Sequence, residues 1–327
     1  MRILVIGGAG YVGSHAVRVL TRAGHEVLVY DNLSVGHREA VPAEQLIVGE
    51  VADGGLLRSV LRTSHIDAVM HFAAFALVGE SVAEPAKYYR NNVIAALELL
   101  DAIRDCGVRR LVFSSTTATY GQPDTIPIAE TTRQEPINPY GFTKLVIERA
   151  MADYAHAYGL GYAALRYFNA AGADRSGEIG EDHDPESHLI PIVLQVALGK
   201  RESVTIYGND YPTPDGTCIR DYVHVNDLGA AHLAALERLE DGRGICVNLG
   251  TGRGTSVREI VDACRRVTGH PIPERIGDRR PGDPAELVAD ARLAQRLLDW
   301  KPQFLDIEET IATAWQWHRQ HPEGYRS

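Results

Sequence analysis

A chain of 327 residues with 45% hydrophobic and 23% charged residues can bury a full core and form two lobes. Its formal net charge of -10 opposes nonspecific binding to nucleic acid, and no basic arm or stripe offsets the repulsion. No apolar run is long enough to span a bilayer, and the run at residues 3–6 is far too short for a signal peptide. Cys106, Cys218, Cys246 and Cys264 form no Cys-x-x-Cys pair or framework spacing, so reduced thiols in a cytoplasmic protein are expected.

In chain order, short apolar runs alternate with helical patterns through the first half. Residues 2–6 read as a strand, 11–23 as a helix and 26–30 as a strand. Residues 66–72 and 109–115 read as further buried strands, with a helical pattern over 88–106 between them. Residues 139–158 are helical and 161–167 form another strand. Alternation of this kind predicts a doubly wound parallel α/β sheet. The pattern changes near residue 170. Residues 172–187 are rich in Gly, Asp, Glu and His and read as a long loop, a feature that usually has a function. Helices near 189–199 and 225–239 and a strand near 203–207 follow, and a strand at 245–249 is expected to return to the main sheet. The expected division is residues 1–170 and 171–327, partly interleaved.

Two motifs carry chemistry. Gly7, Gly10 and Gly13 stand between the first strand and helix, where a bare turn lets a pyrophosphate rest on the helix N-terminus. Asp31 ends the next strand and suits the adenosine ribose while repelling a 2′-phosphate, so NAD is expected over NADP. This makes the sheet Rossmann-type, with a smaller C-terminal α/β substrate lobe. Tyr140 and Lys144, four residues apart, share one helix face. A phenol acts as a base near neutral pH only where positive charge stabilises its phenolate, and a fixed ammonium together with an oxidised nicotinamide supplies that charge.

Further segments extend the pattern: Asp31-Asn32-Leu33, residues 71–74, 78–82, 88–92, 113–115, 166–169, 208–217 and Arg220-Asp221-Tyr222-Val223-His224-Val225. With them the chain resembles the UDP-glucose 4-epimerase family of extended short-chain dehydrogenases/reductases nearly end to end. The resemblance implies an NAD-containing isomerase, commonly a homodimer, acting on UDP-sugars. It makes Tyr140 the proton-transferring residue, Lys144 its partner and Thr116 the holder of the catalytic serine's place. It puts Gly7, Gly10, Tyr11, Val12, Gly13, Asp31, Asn32, Glu50, Val51, Phe72, Ala73, Ala74, Asn91 and Phe168 on the cofactor with the catalytic three. Glu50 departs from a commoner aspartate, and Ala76 replaces a lysine that some members place near the ribose.

For the substrate, the resemblance implies Arg220 and Arg280 on the diphosphate, where a planar fork pairs with phosphate oxygens. It implies Asn169 on diphosphate or sugar, Thr205, Ile206 and Tyr207 on the uracil, and Asp283 on the ribose. His188 and Leu189 stand where other members carry an asparagine, and Leu287 where hexose-restricted members carry a tyrosine. Thr117-Ala118 occupy the place of a dehydratase's Asp-Glu pair, which disfavours water elimination. A UDP-pentose or UDP-uronate 4-epimerase remains an alternative on the same scaffold. His183, His188, His224 and His232 have no ligand spacing, so no metal is expected. Glu178, Glu181, Asp182 and Asp184 read as a solvated loop face.

Overall fold

The computed structural model describes residues 1–280 and 282–325. In chain order it runs β1 (Arg2–Ile6), α1 (Tyr11–Arg22), β2 (Glu26–Asp31), β3 (Leu46–Val48), α2 (Gly54–Thr63) and β4 (Ala68–His71). It continues with α3 (Val78–Ala83), α4 (Pro85–Tyr88), a π turn over Tyr89–Ile94, α5 (Ala95–Asp105), β5 (Arg110–Thr116) and α6 (Pro139–Tyr158). Then come β6 (Gly161–Tyr167), β7 (Asn169–Ala171), α7 (Leu189–Ala197), β8 (Val204–Tyr207), β9 (Ile219–His224) and α8 (Val225–Glu237). The chain ends with β10 (Gly244–Leu249), β11 (Gly254–Ser256), α9 (Val257–Thr268), β12 (Glu274–Gly277), β13 (Glu286–Leu287), α10 (Arg292–Leu298) and α11 (Ile307–Gln320).

Seven strands form the parallel sheet, in the order β10-β6-β5-β4-β1-β2-β3. Their near-continuous apolar runs follow from burial on both faces. Ile3 and Val5 join the core under α1 and α8, while Leu4 and Ile6 join the core on the opposite face, with Leu57 of α2 and Leu99 of α5. The strand order reverses between β1 and β4, the switch point that opens a crevice at the strands' carboxyl ends. As expected, β10 lies in this sheet, beside β6.

Beyond β6 the chain builds a second body. β9 pairs with β7, β11 and β13, while β8 and β12 form a two-stranded sheet. A third apolar core joins α7, α9 and α11 through Leu194, Ile260 and Ile311. The expected helix over 88–106 is broken by the π turn, which packs Asn92 inward. There Asn92 Nδ2 donates to Phe75 O at 3.0 Å and to Thr143 Oγ1 at 3.2 Å, tying the turn to α6.

Candidate active site

The carboxyl ends of β1, β2, β4 and β5 open on a cleft of about 900 Å³. The glycine turn forms its floor. Gly7 has φ 74°, and a Cβ there would stand 2.4 Å from the backbone nitrogen of Ala73. A Cβ on Gly13 would stand 2.1 Å from Gly7 O, so the start of α1 lies directly against the turn. Gly10 caps α1 without a side-chain hydrogen bond, and the first turn contains no acid. The helix therefore presents amides and a positive dipole end at the turn. This shallow cradle suits a pyrophosphate.

Asp31 ties the turn to β2. Its carboxylate accepts from Ala9 N at 2.9 Å and from Leu33 N at 2.8 Å. Burial raises its pKa, and those two amides act against the rise. A carboxylate has about four acceptor positions, so two remain for ribose hydroxyls. Asn32 Nδ2 donates to the Glu50 carboxylate at 3.1 and 3.2 Å, and Tyr30 Oη donates to Glu50 O at 2.9 Å, which brings the expected adenine edge together. Gly7, Gly10, Tyr11, Val12, Gly13, Asp31, Asn32, Glu50, Val51, Phe72, Ala73, Ala74, Asn91 and Phe168 all line the cleft. These residues fit an extended dinucleotide.

The catalytic candidates meet midway along the cleft. Asn138 Oδ1 accepts from Gly141 N at 2.8 Å and Pro139 follows it, so α6 starts at the cleft edge and presents Tyr140 in its first turn. Tyr140 and Thr116 both line the cleft, and the Thr116 side chain acts to lower the phenol's pKa. Thr116 Oγ1 also accepts from Ala118 N at 3.2 Å. Lys144 lies beneath the lining, only 3% exposed, and its Nζ donates to Ser114 O at 2.8 Å.

The protein's own groups, taken by themselves, do not acidify Tyr140. Burial drives the phenol well above its ordinary range, Tyr167 adds to that, and only the Thr116 side chain opposes it. Lys144 is directed to a carbonyl, and burial pulls its own pKa down to about 7 against an upward pull from Glu148. An ammonium whose charged form is disfavoured by burial is a weaker electrostatic partner than the spacing suggests.

Sequence reading missed the support below this group. Glu148, one helical turn after Lys144, accepts from Ser115 Oγ at 2.5 Å and pairs with Arg166 at 2.6 Å. Arg166 Nη1 donates to Tyr120 Oη at 2.8 Å, which in turn meets Asn248 Oδ1 at 2.8 Å. The i, i+4 repeat Tyr140-Lys144-Glu148 was the available signal. Ser114 Oγ and Tyr167 Oη are 2.7 Å apart, and Tyr167 lines the cleft.

At the other end stand Asn169, Arg220, Asp283, Leu287 and His188, all lining the cleft. Arg220 pairs with Asp283 at 2.5 Å, so the groups expected on diphosphate and ribose hold each other. Leu189, Thr205, Ile206, Tyr207 and Arg280 lie outside the cleft lining. Leu189 packs on the third core, Ile206 of β8 is fully buried, and Arg280 stacks 4.2 Å over the Tyr207 ring. Pro281, within the Arg279-to-Asp283 segment, lies outside the described residues.

The loop after β7 departs most from expectation. Glu178 is exposed, but the Glu181 side chain is only 4% exposed, so it is no solvated face. Trp317 Nε1, 3.3 Å from Glu181 O, and Tyr325 N, 2.9 Å from Asp182 Oδ2, fold the loop inward. Glu181, His183, Glu186 and His188 thereby converge, each offering one ligand atom, with these atoms within 4.8 Å of one another. The spacing of the histidines alone conceals this grouping, because two carboxylates complete it. Burial alone lowers the His183 pKa, but Glu181 and Glu186 outweigh it and raise the ring to about 9.

Comparison with known proteins matches the NAD dependent epimerase/dehydratase family over residues 3–250. The chain is 54% identical to a UDP-glucose 4-epimerase of Halalkalibacterium halodurans, over 99% of this chain and 98% of the other. A crystal structure of UDP-glucose 4-epimerase superimposes with TM-score 0.97 at 49% identity, covering 100% of both chains. The Bifidobacterium longum UDP-glucose 4-epimerase, in complex with NAD+ and UDP, superimposes with TM-score 0.94 at 38% identity, covering 99% of this chain and 100% of the other.

Proposed function

From a chain that belongs to the NAD-dependent epimerase/dehydratase family, and within it to the UDP-glucose 4-epimerases, we infer an isomerase that interconverts UDP-galactose and UDP-glucose at carbon 4. The observation that carries this reading is that Tyr140 and Thr116 line one cleft together, between a dinucleotide cradle and the Arg220–Asp283 end. NAD held along the glycine turn supplies the redox chemistry, removing and returning the hydrogen of carbon 4.

The protein's part is proton transfer, grip and orientation. Tyr140 accepts the proton of the 4-hydroxyl and later returns it, while the Thr116 hydroxyl holds the same oxygen. Lys144 anchors the nicotinamide end from below. Arg220 exchanges its Asp283 partner for the diphosphate, which frees Asp283 for the uridine ribose. Asn169 and His188 contact the diphosphate or the sugar, while Arg280 and the Thr205–Tyr207 strand reach the nucleotide through movement of that edge. The 4-keto sugar must present its other face before it is reduced, so a firm grip on UDP combines with a loose grip on the hexose.

On this reading residues 1–170 serve the dinucleotide and 171–327 the UDP-sugar. The working unit is a cytoplasmic homodimer. No helix among the described residues is long and apolar enough to cross a membrane.

The test is the purified protein with a panel of UDP-sugars and no added NAD. Conversion of UDP-galactose to UDP-glucose, with dinucleotide recovered from the denatured protein, is the expected result. Turnover of UDP-pentoses or UDP-uronates with none of UDP-galactose would overturn the substrate assignment, and a stoichiometric requirement for added NAD would overturn the epimerase.

A further inference from the structure

We propose that Glu181, His183, Glu186 and His188 form a binding site for a divalent cation of the zinc class on the wall of the cleft. The geometry carries the assignment. Glu181 Oε1 stands 3.2 Å from His183 Nδ1 and 2.8 Å from His188 Nδ1. The Glu186 carboxylate stands 3.7 Å from His183 Nδ1 and 3.1 Å from His188 Nδ1. Four ligands at about 2.0–2.1 Å around a tetrahedral ion stand about 3.3–3.4 Å from one another, and the observed separations bracket that edge.

Glu186 Oε1 is held in place, hydrogen-bonded to His188 Nδ1 at 3.1 Å and accepting from Ser187 N and His188 N, and the four ligand atoms stay within 4.8 Å of one another. Glu181 Oε1 and His183 Nδ1 are both buried without an aligned hydrogen bond, despite their closeness. The Glu181 and Glu186 side chains are 4% and 3% exposed, so two carboxylates face one another out of water. Once metal binding displaces the imidazole protons, the two carboxylates leave two negative charges, which one divalent ion balances. Oxygen and imidazole donors without thiolate suit zinc and its first-row neighbours better than magnesium or calcium.

All four positions belong to the protein, which marks a closed, structural site rather than one with an open catalytic position. The ion would lock the loop over residues 172–188 to the rest of the wall. That loop is already tied to α1 through the Arg18–Asp174 and Arg18–Glu178 ion pairs at 3.4 and 2.5 Å. His183 also stands edge-on to Tyr11 of the glycine turn, ring centroids 6.1 Å apart. Metal binding thus stiffens the wall beside the dinucleotide cradle. In this assignment His188, whose side chain is 46% exposed, contributes Nδ1 to the ion from the cleft's edge.

The experiment uses the full chain, dialysed against EDTA and then titrated with Zn²⁺. The expected result is one Zn²⁺ per chain, with melting temperature raised by about 4 °C when the metal stands 100-fold over its Kd. His183→Gln and Glu186→Gln should each weaken binding by more than the about 10–100-fold that loss of an outer-shell partner costs, and abolish the metal-dependent shift. Should a variant fail to fold, Co²⁺ bound to the wild-type chain reports the site by its tetrahedral visible bands. Binding well below one ion per chain, stoichiometric binding unchanged in both variants, or Co²⁺ spectra without tetrahedral bands would each overturn the site and leave the four groups as a histidine–carboxylate ion-pair cluster.

Discussion

Tyr140 shows how far one residue's chemistry depends on what is bound beside it. Burial raises its phenol, and Lys144 is turned to the Ser114 carbonyl. Tyr140→Phe preserves the ring's packing and removes the proton acceptor, so turnover should fall by about two to four orders of magnitude with fold and bound dinucleotide retained. A steady-state assay beside a cofactor assay checks this; activity within a few-fold of wild type removes Tyr140 from the reaction. Leu287 governs a different property. It is half-buried on the cleft lining, at a position where the resemblance gives hexose-restricted members a tyrosine. A leucine leaves room for an acetamido group that tyrosine excludes, and such steric discrimination is worth only about 1–3 kcal/mol. UDP-galactose should therefore be the best substrate, with UDP-N-acetylgalactosamine slower. Leu287→Tyr should raise the ratio of their kcat/KM values and Leu287→Ala should lower it. An unchanged ratio in Leu287→Tyr assigns the residue to packing.

At the scale of elements, α6 is a column of functional groups on one face: Tyr140 at the cleft, Lys144 beneath it and Glu148 beneath that. Glu148 joins α6 to β5 through Ser115 and to β6 through Arg166, and the pair is almost wholly buried. Two charges taken out of water contribute little net stability, but removing one partner strands the other. Glu148→Gln should lower unfolding stability by about 3–5 kcal/mol, measured by urea denaturation. It should also lower the Lys144 pKa further, since Glu148 is the group pulling it up. A loss under about 1 kcal/mol would show that a neutral amide satisfies Arg166 equally well.

The whole molecule carries buried neutral histidines, and these set its response to acid. Burial lowers His15 and His232 to about 4 and His71 and His224 to about 3. Between those values and about 6.5 the unfolded chain binds more protons than the folded one, so each group makes stability fall as pH falls through that window. Lys144 acts in the same sense, but from about 7 to 10.5. His183 and His188 are raised instead, so below about 6.5 they are protonated in both states and add no slope. Asp31, Asp221 and Asp227, raised by burial, oppose the histidines, which makes a difference measurement the cleaner test. His232 is fully buried, with Nδ1 bonded to Leu228 O at 2.8 Å. His232→Gln should reduce the slope of unfolding free energy against pH by about one proton, roughly 1.4 kcal/mol per pH unit, between pH 4.5 and 6. An identical slope in both proteins would show that His232 does not titrate there on unfolding.

The amino-acid sequence by itself determined what local rules control. The glycine turn, the alternation of buried strands with helices, Asp31 at the end of β2 and Tyr140–Lys144 on one helix face are all short-range consequences of backbone sterics and periodicity. So is α6, whose observed bounds Pro139–Tyr158 match the reading because Asn138 and Pro139 start it and Gly159 in the left-handed region stops it. Shorter elements such as β3, with three residues, contain too little pattern to be seen. Only the tertiary structure decided the rest. It paired Arg220 with Asp283 across 63 positions, moved Thr205–Tyr207 and Arg280 off the cleft lining, and buried Lys144 deeply enough to change its acidity. It also turned an acidic loop inward to bring Glu181, His183, Glu186 and His188 to one point. These outcomes depend on desolvation and on contacts between distant segments, and neither is a property of any window of sequence.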